Sequence, residues 1–208
     1  MKRYVHVVAL ALAAFAPLAA QAPKGWKMRV DRSTAASDPD ASGDIKFVTE
    51  GSGFHATNPK AAVYWNPANT ASGTYTLKGT FTLMKPSGHN NYYGLVFGGS
   101  GLEGAEQSYL YFVVAQNGTW LIKRRDGDAT STVSPKTPND AVKKPDDTGK
   151  STNALEVRVG ADKTDFVVNG TVVHTEPKSG ATAKTDGIYG IRVNHLLEVQ
   201  VDGLTVSK

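Results

Sequence analysis

The segment SYLYFVVAQNGTWLIKRR, residues 108–125, decides the fold class. It places two apolar runs on either side of an Asn-Gly turn, a pattern typical of a β-hairpin. A two-residue turn would pair Val114 with Leu121. A three-residue turn, with Gly118 in the left-handed conformation, pairs Val114 with Trp120 and gathers most of the apolar side chains on one face. We predict the second register, because burial of one face selects it.

Short alternating segments continue on both sides of this hairpin. Residues 74–84 place Tyr75, Leu77 and Phe81 on one side and Thr or Lys on the other. A second Asn-Gly pair, at 169–170, predicts a tight type I′ hairpin. The predicted strands are 25–30, 45–48, 53–56, 62–65, 74–84, 92–97, 109–114, 120–125, 154–159, 165–169, 171–174, 187–193, 197–201 and 204–206.

The spacing of these strands predicts an all-β, antiparallel sandwich. Turn-forming residues separate them, and no helix-period segment of useful length follows residue 22. A Gly-rich loop is expected at 98–106. The longest polar stretch, 126–152, contains several Pro and Lys residues and is expected to be a mobile loop. No repeat or linker divides the chain, so we expect one domain over 23–208.

The N-terminus has the layout of a secretory signal peptide. Lys2 and Arg3 precede an apolar run of roughly 15 residues, which ends among small residues. We predict a signal peptide over 1–20, cut after Ala20 or Ala22. An anchor helix is the alternative, but a membrane span needs about 20 apolar residues. The expected location is therefore secreted or periplasmic, with no stable membrane anchor.

Composition excludes several kinds of protein. The chain has no cysteine, which rules out disulfides, thiolate metal sites and a lipid-modified cysteine, so a lipoprotein is excluded. The formal charge of +4 includes the two basic residues of the signal peptide. Without them 21 basic residues face 19 acidic ones, and this balance is too even to predict binding to nucleic acid or an anionic membrane.

Several of these strands resemble a known superfamily. The matching segments are YGLVFG (93–98), SYLYF (108–112), GTWLIKR (118–124), NALEVRV (153–159), FVVNG (166–170) and GIYGIRV (187–193). Together they resemble the middle strands of concanavalin A-like jelly rolls, the superfamily of lectins, glucanases, laminin-G-like domains and family-16-glycosidase-like domains. The resemblance covers roughly 73–206. It implies a two-sheet jelly-roll sandwich with one concave sheet, which is frequently used to bind sugars.

The resemblance stops short of a catalytic motif. Family-16 glucanases carry a strand of the form Glu-x-Asp-x-x-Glu, whereas the nearest segment here is EVQVD at 198–202. Glu103 and Glu106, in the Gly-rich loop, remain as candidate acids for a glycosidase, which needs a carboxylate pair. We therefore expect a non-catalytic domain. A glycoside hydrolase-like enzyme, of the family-16-like or keto-disaccharide type, is the alternative.

The histidines carry no metal motif. His55, His89, His174 and His195 are not paired at His-x-His or His-x-x-x-His spacing. We therefore predict no metal site and no cofactor.

The candidate binding site is the second face of the 108–125 hairpin. In the predicted register this face carries Tyr109, Tyr111, Lys123 and Arg125, with Tyr92 on the neighbouring strand and His89 and Asn91 at the turn before it. Aromatic rings can pack on a pyranose while Lys, Arg and amide groups bond its hydroxyls. We expect a carbohydrate, or another polar ligand, on the concave face.

Two other interpretations of that face remain open. It could be an ordinary solvated sheet face, as antiparallel sheets often have. It could also belong to a cell-envelope interaction domain without a small ligand. The envelope interpretation would be favoured if the 126–152 segment filled the concave face.

Overall fold

The computed structural model describes residues 23–31 and 37–208, so the predicted signal peptide lies outside it. The strands are β1 Lys27–Asp31, β2 Lys46–Glu50, β3 Gly53–Asn58, β4 Ala61–Ala71, β5 Tyr75–Lys85, β6 Tyr92–Ser100, β7 Ser108–Ala115, β8 Thr119–Asp126, β9 Ala129–Pro138, β10 Ser151–Val159, β11 Lys163–Val168, β12 Thr171–Pro177, β13 Gly187–Val193 and β14 Leu197–Ser207. A single-turn 3-10 helix spans Gly180–Thr182. Within these ranges, no helix is long and apolar enough to cross a membrane.

The strands form two seven-stranded sheets with antiparallel pairing. Sheet A has the order β1-β4-β13-β6-β7-β8-β9, and sheet B has the order β12-β11-β10-β5-β14-β3-β2. Hairpin neighbours such as β6, β7 and β8 alternate with pairs that are far apart in sequence, such as β4 with β13 and β5 with β14, as the crossing connections of a jelly roll require. The predicted all-β, antiparallel two-sheet architecture is confirmed.

The core lies between the inner faces of the two sheets. Its largest fully buried members include Phe81, Tyr93, Phe97, Phe112 and Phe166. The Phe112 and Phe166 rings meet edge to face across the two sheets, with centroids 5.2 Å apart. Apolar burial of this extent is the main stabilising contribution in a chain without cysteine.

Both predicted hairpins have the expected geometry. Val114 pairs with Trp120 across β7 and β8, so the three-residue turn is the correct one. Gly118 has φ +84°, and its N–H donates to the Ala115 carbonyl at 3.1 Å. At the second hairpin Asn169 and Gly170 have φ +49° and +84°, the two positive values that a type I′ turn needs.

The expectation of a single loop over 126–152 is wrong for its first half. Its first half forms β9, which pairs with β8 and is an edge strand of sheet A, with Pro135 and Pro138 in its sequence. The stretch that follows is held by hydrogen bonds. The Asn169 amide donates to the Ala141 carbonyl at 2.7 Å, and the Lys143 N–H donates to the Asn153 side chain at 2.8 Å.

Candidate ligand-binding site

The outer face of sheet A carries a second buried cluster, distinct from the core between the sheets. Its members are Val63, Trp65, Tyr92, Val96, Leu102, Tyr109, Tyr111, Val113, Ala115 and Leu121. Leu102, from the β6–β7 loop, packs over this cluster and is only 3% exposed. The interpretation as an ordinary solvated sheet face is therefore wrong for this part of the sheet, which lies under other parts of the chain.

A depression of about 310 Å³ lies on the same face, and members of this cluster form part of its lining. Its walls come from β6, β7, β8, β9 and β13 and from the loops that carry Asp38 and Asn90. Its polar and charged lining residues are Asp38, Asn90, Asn91, Lys123, Arg125, Thr130, Lys136, Arg192 and Asn194. Because β9 contributes Thr130 and Lys136 to the wall, the 126–152 segment borders the depression instead of filling it.

A buried ion pair lies at one end of the depression. The Arg192 guanidinium donates to the Asp31 carboxylate and, at 3.2 Å, to the Tyr109 hydroxyl. The Tyr109 hydroxyl in turn donates to Asp31 at 3.3 Å. The side chains of Arg192 and Asp31 are only 12% and 6% exposed. This arrangement ties the end of β1 to the middle of sheet A.

Arg192 also covers the ring of a tyrosine. Its guanidinium carbon lies 5.1 Å from the centroid of Tyr111, within the range of a cation–π contact. The pairing of β13 with β6, and of β6 with β7, explains how the Arg192 side chain reaches Tyr111 on β7. Gly94 lies between Arg192 on β13 and Val113 on β7, and it has no side chain to block the arginine. The absence of a Cβ on β6 therefore lets a β13 side chain extend toward β7.

Burial and charge shift the pKa values of this group. Burial alone would raise the pKa of Asp31, but the Arg192 guanidinium outweighs it and holds that pKa below its ordinary value. Burial raises the pKa of Tyr109 to about 12, so its hydroxyl stays protonated. Although burial opposes its charge, the neighbouring Tyr109 and Asp31 raise the pKa of Arg192, which stays a cation.

Most of the residues predicted from sequence meet at the depression. Asn91, Tyr92, Tyr111, Lys123 and Arg125 line it. Tyr109 is fully buried against Asp31 and Arg192 and is not part of the lining. His89 lies beside Asn91, whose side-chain amide is 3.1 Å from the His89 Nε2 atom.

The tyrosine rings are less accessible than a sugar-stacking role assumes. Tyr92 and Tyr111 are 5% and 7% exposed. Lys136 Nζ lies 5.5 Å from the Tyr92 centroid, so each ring carries a cation over it. The rings support the basic groups that face the depression.

The two candidate acids lie elsewhere. Glu103 is ion-paired with Lys27 of β1 at 2.6 Å, and both side chains are largely exposed. Glu106 is exposed in the same loop. Neither belongs to the lining, and the described lining contains a single acid, Asp38.

Sequence reasoning missed Asp31, Lys136 and Arg192. A signal existed for Arg192, since it is the one charged residue in β13 and alternates with the buried Ile191 and Val193. An arginine on the outer side of such an apolar strand has to find a partner there. Nothing in the sequence indicated that the partner would come from β1.

A larger depression, of about 460 Å³, lies away from the sheet face. It is formed by loop segments near Gly43, Pro59, Pro86 and Leu196 and has no aromatic residue in its lining. The sheet-face depression is the better candidate because it combines convergent cations, amides and an apolar floor.

One group of potential metal ligands is present in the described residues. It consists of Asp38, His89 and His195, whose ligand atoms lie within 4.8 Å of one another. Asp38 also lines the depression, so the group lies at its rim.

No family model matches the chain, and no curated protein matches it in sequence. Solved structures do match its fold. The carbohydrate binding module CBM66 from Bacillus subtilis is 13% identical over 88% of this chain and 96% of its own, with a TM-score of 0.61. A Bacteroides ovatus mixed linkage glucan GH16 protein, solved in complex with product, is 8% identical over 90% and 97%, also with a TM-score of 0.61.

A third structure is similar as well. A Bacillus subtilis protein of unknown function with a galectin-like fold is 15% identical over 88% of this chain and 89% of its own, with a TM-score of 0.59. These matches cover nearly the whole length of each partner, and identities this low bear on the fold alone. The fold predicted from the strand pattern is confirmed, and this chain has the concanavalin A-like jelly-roll fold.

Proposed function

We propose that the protein is an exported domain that binds an acidic carbohydrate in the depression on the outer face of sheet A. The observation that carries this proposal is the charge of the lining, in which the described residues place four basic side chains and one acid around an apolar floor. Lys123, Arg125 and Lys136 come from two adjacent strands and face the same space.

These basic side chains differ in whether a carboxylate of the protein already neutralises their charge. Arg192 is neutralised by Asp31. Arg125 lies 3.8 Å from the exposed Asp128 carboxylate. Among the described residues, Lys123 and Lys136 have no carboxylate within salt-bridge distance. An anionic ligand would therefore find two ammonium groups ready to bind it, and carboxylates or sulfates on a sugar provide that charge.

The remaining lining suits the neutral part of a sugar. Asn90, Asn91 and Asn194 offer amide donors and acceptors for hydroxyl groups. The fold supports the same proposal by analogy, since the carbohydrate binding module CBM66 and the Bacteroides ovatus mixed linkage glucan GH16 protein have a similar fold. Glycoside cleavage by two carboxylates is supported less well, because the described lining has one acid.

A comparison of acidic and neutral polysaccharides tests this proposal. We expect calorimetry to detect a polyuronate or sulfated oligosaccharide at low ionic strength, with weaker binding of neutral glucans. The Lys123→Ala/Lys136→Ala variant should bind at least about tenfold more weakly, since a hydrogen bond to a charged group contributes about 1.5–3 kcal/mol. Product analysis of the same mixtures reports any cleavage.

The matched control removes the same charge from the other sheet. Lys78 and Lys163 lie on strands of sheet B and are exposed, so Lys78→Ala/Lys163→Ala should leave affinity unchanged. Equal losses in both double variants would mean that net charge, not the depression, governs binding. Failure of acidic and neutral glycans alike to bind would refute the proposal.

Export has its own test. We expect expression with the native N-terminus in a bacterial host to yield a protein outside the cytoplasm that begins at Gln21 or Pro23, because the basic start and apolar run have the signal layout. Intact-mass measurement of the exported protein gives the cut site. A protein that keeps residues 1–20 in the soluble cell fraction would contradict export.

A further inference from the structure

We propose that Asp38, His89 and His195 form a binding site for a divalent transition metal ion, of which zinc is the best fit. The three residues come from three separate segments: the segment before β2, the β5–β6 loop and the β13–β14 turn. Their ligand atoms converge on one point at the rim of the depression.

The three ligand atoms lie somewhat closer together than the donor atoms of a tetrahedral zinc site. Asp38 Oδ1 lies 2.7 Å from His89 Nε2 and 3.0 Å from His195 Nε2. The two Nε2 atoms are 3.2 Å apart. Donor atoms about 2.0–2.2 Å from a tetrahedral zinc ion are separated by about 3.3–3.5 Å. Increases of about 0.1–0.8 Å in these separations, largest for the Asp38–His89 pair, would admit an ion between the three atoms.

A hydrogen bond on its far side orients the His195 imidazole for a metal. His195 Nδ1 lies 3.0 Å from the Asp40 carboxylate, which can only accept a hydrogen bond when ionised, so the proton belongs on Nδ1. This leaves the lone pair on Nε2. The Asn91 amide nitrogen lies 3.1 Å from His89 Nε2, which is also 2.7 Å from Asp38 Oδ1, so this ring nitrogen accepts from the amide or donates to the carboxylate according to its tautomer. With the His89 proton on Nδ1, the two Nε2 atoms and Asp38 Oδ1 all present lone pairs to one point, where a cation would bind all three.

The Asp40 contact is the kind of outer support that metal-binding histidines commonly have. A carboxylate on the far nitrogen fixes the tautomer and ring orientation of the ligand. His195 is itself buried, at 4% exposed, and its ring stands at 85° to that of His89. His89 is about half exposed, so an ion could enter from solvent on that side.

The donor set selects the class of metal. Two imidazole nitrogens and one carboxylate favour zinc, copper, nickel or cobalt over calcium and magnesium, which prefer all-oxygen sites. Three protein ligands leave at least one coordination position for water or for a ligand group. The ion would also link the three segments that carry its ligands. This proposal does not depend on whether the protein binds carbohydrate.

Direct metal titration tests this site. We expect full-length protein, purified without a polyhistidine tag and stripped with chelator, to bind one Zn²⁺ per chain and to melt several degrees higher when loaded. Ca²⁺ should do neither. Co²⁺ should give visible absorption bands of a four-coordinate site with nitrogen ligands. His89→Ala should weaken zinc binding at least 100-fold, and its half-exposed position means that the fold should survive.

The matched control is another histidine with carboxylate partners. His55 lies between Glu50 and Glu198, which contact its two different ring nitrogens and cannot share one ion with it. His55→Ala should keep the zinc affinity and the Co²⁺ spectrum. The proposal is overturned if wild-type protein binds no zinc, if His89→Ala binds zinc as the wild type does, or if calcium binds instead.

Discussion

Replacing Asp31 by asparagine should lower the free energy of unfolding by about 3–5 kcal/mol, the range found when one partner of a buried ion pair is removed. Asparagine keeps the size of the side chain but leaves the Arg192 guanidinium buried without its counter-charge. Urea denaturation, with the unfolding free energy extrapolated to water, measures the change.

Two further variants isolate the cause. Asp126 is the partner of Arg124 but is 57% exposed, so Asp126→Asn should cost no more than about 1 kcal/mol. Asp31→Asn/Arg192→Met removes both charges and should recover part of the loss, because an apolar replacement of a buried pair is often tolerated. If Asp31→Asn is as mild as Asp126→Asn, the pair is not buried in solution.

The pH dependence gives a second measurement on the same pair. Because the pKa of Asp31 is lowered in the folded protein, its ionised form contributes stability above the unfolded value, which is about 3.9. That contribution is lost as the pH falls through the lower, folded pKa. The stability gap between wild type and Asp31→Asn should be constant above about pH 5 and narrow in stronger acid.

The second large effect concerns a glycine in the middle of sheet A. A Cβ on Gly190 would lie 2.1 Å from the main-chain oxygen of Tyr64 on β4. The clash is with backbone, so β4 and β13 would have to separate to relieve it. Gly190→Ala should therefore destabilise the protein by about 3 kcal/mol, at the upper end of the usual range for overpacking, or more. Thermal and urea unfolding both report this loss.

The same substitution at Gly88 is the control. A Cβ there meets no atom within 4 Å, so Gly88→Ala should change stability by less than about 0.5 kcal/mol. A stable Gly190→Ala protein would mean that β4 and β13 do not approach each other as described. Since Arg192 lies two residues along β13, Gly190→Ala should also weaken ligand binding in any folded fraction.

Local patterns were enough to predict most of the strands and one pairing register. Val114 and Trp120 belong to the same hairpin, and a shift of one residue would have exposed an apolar face. The sequence did not predict β9. An edge strand has little to bury on one side, so residues 129–138 are mostly polar and lack clear alternation.

The part of the candidate site that lies on the β7–β8 hairpin could be predicted, because contacts within a hairpin are local in sequence. Tyr111, Lys123 and Arg125 follow from the hairpin register, which places them on one face. Their partners could not follow, because Asp31 and Arg192 are 161 residues apart in the chain. The Asp38 and His195 contact is likewise long-range, and the spacing rules for metal ligands apply only to neighbours in sequence.

The free edge of β9 has a consequence for self-association. Exposed sheet edges can add a strand from a second copy, and this is one route to aggregation. Proline has no N–H to donate, and Pro135 and Pro138 both lie in this strand, the first of them where the pairing register with β8 shifts. Because two backbone N–H donors are missing and the strand is irregular near Pro135, this edge is a poor template for further strands. Sheet A therefore ends at β9.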